Sequence, residues 1–380
     1  MFQKNFILAL AVLTGTIIGA GIFGIPYVIS KSGIIPGFFY FLILSGAVLL
    51  IHLFFGEIVL RTKEKLRLPG FAEKYLGEKA KIIVAFSTFL AITGALLAYI
   101  IIGGDFLKIV FSPFLDISSF YFSLIFWAIL TFFIFRGIKL IAPVQLLMSI
   151  AFILIIFLIF FFALPQINLE NFILINPENI FLPYGIILFS LIGWPAIPIL
   201  SEIFESPDGK RKIKKVIILS SLIVVFLYFL FILSVVGVSG QNTTKEALQG
   251  LLPFLGQKII MLGALFGILA IATSFLILGN YLKNSLFYDF KVPRPFPAII
   301  SCGMPLILFL IGFREFIAVV GFVGTILGVV EGVAIVLIFK KAKTLGNRQP
   351  EYSLKAPQVL LYFLIGIFIL GAISQFFFKF

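Results

Sequence analysis

Two stretches of this sequence place backbone groups, rather than side chains, where they could bind something. In Thr14-Gly15-Thr16-Ile17-Ile18-Gly19-Ala20-Gly21-Ile22-Phe23-Gly24-Ile25-Pro26-Tyr27, four glycines and a proline fall within thirteen residues. A helix written there must weaken, and the Gly19 to Gly21 pair with Pro26 close behind marks the break. A second fault lies in Leu188-Phe189-Ser190-Leu191-Ile192-Gly193-Trp194-Pro195-Ala196-Ile197-Pro198, where Gly193, Pro195 and Pro198 interrupt the ladder. A half-helix starting near Gly21 offers free N–H groups and a positive dipole end to an anionic group such as a carboxylate. Unwound carbonyls, in turn, attract an ammonium or a metal cation. A zwitterionic amino acid fits that pairing better than a sugar, which has no charge for the dipole to hold.

Enzyme chemistry finds little material. The one histidine, His52, lies with Glu57 towards an inner helix end, where packing or snorkelling is expected. The single Cys302 cannot form an internal disulfide, and no His/Cys cluster suggests a zinc or iron–sulfur site, so no cofactor is expected. No glycine-lysine phosphate loop is present for ATP. One acidic residue stands apart. Glu331 lies eight residues in from Phe339, or about 12 Å at the helical rise, near the middle of a hydrophobic run. A carboxylate there costs roughly 3 kcal/mol or more unless it is protonated, paired or wetted. It is either a packed neutral acid beside Gly328 and Gly332 or a site of proton coupling.

The elements that must carry these groups follow from composition. Of 380 residues, 61% are hydrophobic and 12% charged, with mean hydropathy +1.20. That is a polytopic membrane protein, all α, with no room for a separate soluble domain. Apolar runs give eleven transmembrane helices, near 5 to 29, 36 to 60, 81 to 107, 118 to 135, 139 to 163, 182 to 204, 214 to 238, 257 to 282, 296 to 312, 315 to 339 and 357 to 377. With the N-terminus cytoplasmic and the C-terminus outside, 23 of the 29 basic residues fall on the inner side. The outer side keeps only Lys31, Lys108, Lys245, Lys258, Arg314 and Lys379. The net charge of +13 is therefore topological, and nucleic-acid binding loses its motive. The first span is expected to be an uncleaved helix rather than a secretory signal.

The breaks fall in the first and sixth spans, corresponding places in two halves of five. Each half has an odd number of spans, so the second enters from the opposite side: an inverted repeat. The expected division is 1–163 and 164–340 for the repeats and 341–380 for the eleventh span.

The stretches GTIIGAGIFGIPY, RLPGFAEKYLG (67–77), TGALLAYIIIGGDFL (93–107), GWPAIP and LGALFGILAIATSFLILG (262–279) resemble the amino acid/auxin permease family. The nearest branch is the prokaryotic hydroxy and aromatic amino acid permeases of the amino acid, polyamine and organocation superfamily. The resemblance implies a leucine-transporter-like fold of 5+5 inverted repeats plus one helix, in the cell membrane. It implies that the amides of Gly19, Ala20, Gly21 and Ile22 bind a substrate carboxylate, and that Phe189, Ser190, Leu191, Ile192 and Trp194 form the amine and side-chain pocket. Trp194 could equally be a gating aromatic, and Thr93 and Tyr99 are weaker candidates. By the same similarity, a sodium site would use the carbonyls of Gly15, Ile18 and Ala270 with the hydroxyls of Thr273 and Ser274. Alternatively those hydroxyls bond back to the preceding turn and the coupling ion is a proton.

The expected activity is import of a neutral, hydrophobic or aromatic amino acid with H+ or Na+ by alternating access. Exchange or uniport on the same fold is the alternative, and a channel a more remote one. The only expected partners are the amino acid and the lipid bilayer, with no obligatory protein partner.

Overall fold

A computed structural model describes residues 2–136 and 141–376, and all regular structure among them is helical. The start of the fifth expected span with Lys139, the end of the eleventh at 377, and Lys379 lie outside the described residues. In chain order the helices are α1 (Phe2–Ile17), α2 (Gly21–Ser32), α3 (Ile34–Arg61), α4 (Leu68–Leu76), α5 (Glu78–Phe111), α6 (Ser119–Arg136), α7 (Ile141–Ala163) and α8 (Pro183–Leu191). There follow α9 (Ile197–Ile203), the single turn α10 (Pro207–Lys210), α11 (Ile213–Ser239), α12 (Leu252–Tyr288), α13 (Phe296–Leu310), α14 (Phe316–Phe322), α15 (Gly328–Leu345) and α16 (Gln358–Phe376).

Among the described residues, eight helical segments are long and apolar enough to cross a bilayer, nine if α1 and α2 count as one span bent by 45°. Helices α13 and α16 are shorter apolar ones. The third, eighth and tenth segments run several residues beyond their apolar bounds. Hydropathy reports only the hydrocarbon thickness, whereas the i to i−4 ladder continues into water through residues such as Lys340, Lys341 and Lys343. At the other end of the eighth, Gly256, at φ 76°, separates a first turn of α12 from the rest.

Two features were not expected. The polar stretch 67–77 forms α4, which buries Leu68, Phe71, Ala72 and Tyr75 and ends on Gly77 at φ 93°. Between α14 and α15, Val323–Leu327 form a wide π-turn, where Gly324 packs against the backbone of Gly185 and Phe189 in α8. Bulges of this kind recur at functional sites.

Helix α8 is buried along its whole length, ringed by α2, α3 and α14 with the π-turn. Around the other broken span, α7, α11 and α12 pack against α1, and α11 also against α2. The outer ring turns large apolar side chains outward, among them Phe132, Phe161 and Phe363, as lipid-facing helices do. The expected broken elements are thus the innermost ones.

Candidate functional site

The first break occupies Ile18, Gly19 and Ala20. Ile18 N–H still reaches Thr14 O at 2.9 Å, and Gly19 N–H turns back to Ile17 O at 2.8 Å. Beyond them, the N–H groups of Gly21 and Ile22 open α2 and find no acceptor among the described residues. The second break begins at the end of α8. Ile192 N–H bonds Phe189 O at 3.2 Å, Gly193 leaves the helix, and Trp194–Ala196 make one tight turn before α9. Prolines 195 and 198 supply no N–H to either turn.

Glycines let these two breaks touch. A Cβ on Gly21 would meet Ser190 Cα at 2.7 Å, one on Gly19 would meet the Tyr99 hydroxyl oxygen at 2.5 Å, and one on Gly193 would meet Ile17 side-chain atoms and His52 Cε1. Two side chains then bind the loosened backbone. Tyr228 of α11 sends its hydroxyl to Ile17 O at 3.0 Å and to Ser190 O at 2.8 Å, so one proton is shared between a carbonyl of each break. His52 Nε2 accepts from Gly193 N–H at 3.0 Å, while its Nδ1 is buried without a partner among the described residues. An accepting Nε2 puts the ring proton on Nδ1.

Beside the breaks lies a cavity of about 40 Å³ lined by Thr16, Ile17, Gly19, Gly21, Ala91, Ile92, Ala95, Tyr99, Phe189, Ile192, Pro195, Leu278, Val323 and Glu331. It has room for water but not for an amino acid, since ligand pockets run to roughly 300 Å³ or more. Of the residues expected around the substrate, Gly19, Gly21, Phe189 and Ile192 form its wall. Ala20, Ile22, Ser190, Leu191 and Trp194 are buried next to it without lining it.

Trp194 has a different neighbour. Its Nε1–H donates to Glu331 Oε2 at 2.7 Å, and Thr88 Oγ1 donates to Glu331 Oε1 at 2.5 Å. The acid of the tenth span is therefore fastened to the sixth-span break and faces the cavity. Thr93, on α5, is buried, and its hydroxyl has no partner among the described residues.

The five residues expected around a cation also gather. Gly15, Ile18, Ala270 and Thr273 line a void of about 10 Å³ together with Met148, Ser149 and Phe152. Ser274 Oγ donates to Gly15 O at 3.0 Å, joining α12 to α1, and Thr273 Oγ1 bonds back to Ala270 O at 2.8 Å. Hydroxyl and carbonyl oxygens keep lone pairs after these bonds, and such oxygens suit a hard cation. The void is one small ion or water in size.

A larger vestibule of about 610 Å³ opens at the end of the molecule that carries the basic loops. Its wall includes Thr62 to Arg67, Phe71, Pro198, Ser201, Glu202, Glu205, Lys210 and Arg348. Pro195 lines the inner cavity, and Pro198, Ser201, Glu202 and Glu205 continue at helical spacing into the vestibule. One face of the sixth span thus runs from cavity to vestibule. At its rim, a hydrogen bond from Lys74 holds the Glu64 carboxyl down at about 2, keeping the mouth charged. The opposite end is covered. Residues 164–182 cross it, with Ile34 N–H on Ile173 O at 2.8 Å and Asn176 N–H on Ser32 O at 2.7 Å, and the Phe23 ring packs on Phe106, Phe152 and Phe231 below.

Sequence reasoning missed Tyr228 and did not supply the partners of His52 and Glu57. Of packing and snorkelling, both take the packed role: His52 is buried and holds the sixth-span break. Glu57, fully buried, accepts from Arg61 at 2.7 Å, Lys343 at 2.5 Å and Leu354 N–H at 2.6 Å, so it ties α3 to the segment before α16. The signal for Tyr228 was present: a lone phenol in the apolar run of α11 needs a partner for its hydroxyl.

In comparison with known proteins, residues 2–375 match the model of the tryptophan/tyrosine permease family. The chain is also similar to glutamine transporter 2 of Aliivibrio fischeri, 23% identical over 325 residues that cover 83% of this chain and 84% of that protein.

Proposed function

The chain belongs to the tryptophan/tyrosine permease family, and from that premise and the site's geometry we propose that it imports a neutral, hydrophobic or aromatic amino acid with a cation by alternating access. Membership makes it a multi-pass membrane transporter of amino acids and not an enzyme. The finer reading places it in the cell membrane with the N-terminus inside, as eleven spans in a leucine-transporter-like arrangement: residues 1–163 and 164–340 as inverted repeats and 341–380 as the added helix.

The observation that carries the reading is the joined pair of breaks. In hydrocarbon, non-helical backbone survives where it is buried in protein or lines a cavity, and here both breaks border one cavity. The free N–H groups at the start of α2 suit the substrate carboxylate. The Ile17 and Ser190 carbonyls held by Tyr228 suit its ammonium, which would compete with the phenol for them. Phe189, Ile192, Ile92 and Val323 offer an apolar wall to the side chain. Glu331 is the one charge-bearing group in the cavity wall, and once it carries the coupling proton, it offers no counter-charge to a cationic side chain. That the relative is a glutamine transporter also favours a neutral substrate.

For the coupling ion, two groups are offered. A proton on Glu331 is the leading choice, because the Thr88 hydroxyl can turn from donor to acceptor when the acid takes a proton, while the indole N–H keeps its bond. Sodium in the void beside Thr273 and Ser274 is the second. The 40 Å³ cavity corresponds to a closed state that must widen for substrate to enter. Proteoliposomes loaded against proton or sodium gradients, with all twenty amino acids as competitors, test the whole reading. Leucine, tyrosine, tryptophan and glutamine should compete in a gradient-dependent way. Preference for lysine or glutamate would refute the neutral site, and uptake indifferent to both gradients would leave exchange or uniport.

A further inference from the structure

Between the last turns of α6 and α12 and the first turn of α13 lies a cavity of about 390 Å³, separate from the transport pathway. Its wall brings together Arg136, Lys283 and Arg294, with Asn284 and Tyr288 as further polar groups. Among the described residues no carboxylate pairs with any of the three cations. Like charges converging without a counter-ion repel one another, and an anion placed among them removes that cost.

The cations are also positioned. The Arg136 guanidinium lies over the Phe132 ring at 5.0 Å and that of Arg294 over Phe287 at 4.9 Å. Lys283 Nζ gives one N–H to Ile134 O at 3.0 Å, leaving two. Around the mouth, Phe135, Tyr288 and Phe296 are exposed on the outer surface, as aromatic residues are at the boundary between hydrocarbon and headgroups.

We propose that this cavity holds the phosphate of an anionic phospholipid from the leaflet facing the basic loops. Guanidinium forks match phosphodiester oxygens two at a time, and Lys283 and Asn284 have donors to spare. A zwitterionic headgroup would bring its own ammonium among three cations, so a headgroup of net negative charge is favoured. Free phosphate shares the oxygen chemistry, but it has no acyl chains to lie along Phe296 and Ile299, both exposed beside the mouth.

The test is native mass spectrometry of the full-length protein offered phosphatidylglycerol and phosphatidylcholine with the same acyl chains. Phosphatidylglycerol should be retained in preference, and R136Q/R294Q, two exposed positions, should lower that retention at least tenfold. K214Q/K341Q, which removes the same charge from the same face elsewhere, should leave it unchanged, and millimolar inorganic phosphate should not displace the lipid. Thermal midpoints in phosphatidylcholine alone establish that each variant is folded. Equal retention of the two lipids, equal loss in both double variants, or displacement by inorganic phosphate would each overturn the proposal; the last would mark a site for a soluble anion.

Discussion

Glu331 is the residue on which the mechanism can be tested with least disturbance, because glutamine can reproduce both of its hydrogen bonds. The amide oxygen can accept from Trp194 Nε1, and the amide nitrogen can donate to the Thr88 hydroxyl. Glu331→Gln therefore removes a titratable proton while keeping the link between the tenth span and the sixth-span break. Under a proton gradient, concentrative uptake should fall at least tenfold, whereas counterflow exchange of preloaded substrate should persist. If the variant concentrates substrate as well as the parent, the acid is structural and coupling belongs to the Thr273 and Ser274 group. At this scale the sequence was informative about depth and not about partners. Position in an apolar run located Glu331, but nothing local to residues 88, 194 and 331 shows that α5, the sixth-span break and α15 meet there. His52 shows the same limit: a packing role near the helix end was legible, and the N–H of Gly193 across from it was not.

Helices read more clearly than contacts. Glycine and proline act on the backbone of their own element, so both breaks could be placed within a residue or two from sequence. What the element must touch is a tertiary fact, and Gly21 illustrates it. Its place at the start of α2 suggested a dipole end, yet its lack of a side chain also answers to the Ser190 backbone, which stands 2.7 Å from where a Cβ would be. Helix α8 cannot shift without disturbing the Tyr228 bridge and the packing of Gly185 on the π-turn. Gly21→Ala should therefore cost about 1–3 kcal/mol of stability, in the range of overpacked cores, and reduce uptake by an order of magnitude. Gly46→Ala in α3, where a Cβ meets nothing within 4 Å, is the matched control and should be close to neutral. Thermal unfolding in detergent and uptake in vesicles read the two effects; an alanine tolerated at 21 as well as at 46 would mean that the breaks do not need to touch. Helix α4 escaped the sequence reading because a nine-residue amphipathic helix lacks the apolar length that signals a span.

For the molecule as a whole, basic loops and the widest cavity fall at the same end. Lys63, Lys65, Arg67, Lys210 and Arg348 of the basic loops line the 610 Å³ vestibule, and the opposite end is covered by residues 164–182. If basic loops face the cytoplasm, the widest water-accessible approach to the site is from inside, and one face of α9 leads to it. Sidedness can be read chemically because the single native thiol, Cys302, is buried. A cysteine at Ser201, in the vestibule wall, should resist a membrane-impermeant thiol reagent in intact cells and react once the membrane is opened. A cysteine at Lys245, exposed beside Glu315 at the other end, should react in intact cells. Substrate or an imposed gradient that favours the outward-open form should slow the Ser201→Cys reaction, since closing the vestibule brings α9 against the loop of Thr62 to Arg67, where Arg67 already bonds Glu202 at 3.3 Å. The reversed labelling pattern would invert the topology and with it the assignment of import. Correct sidedness with no response to substrate would instead separate the vestibule from the transport cycle.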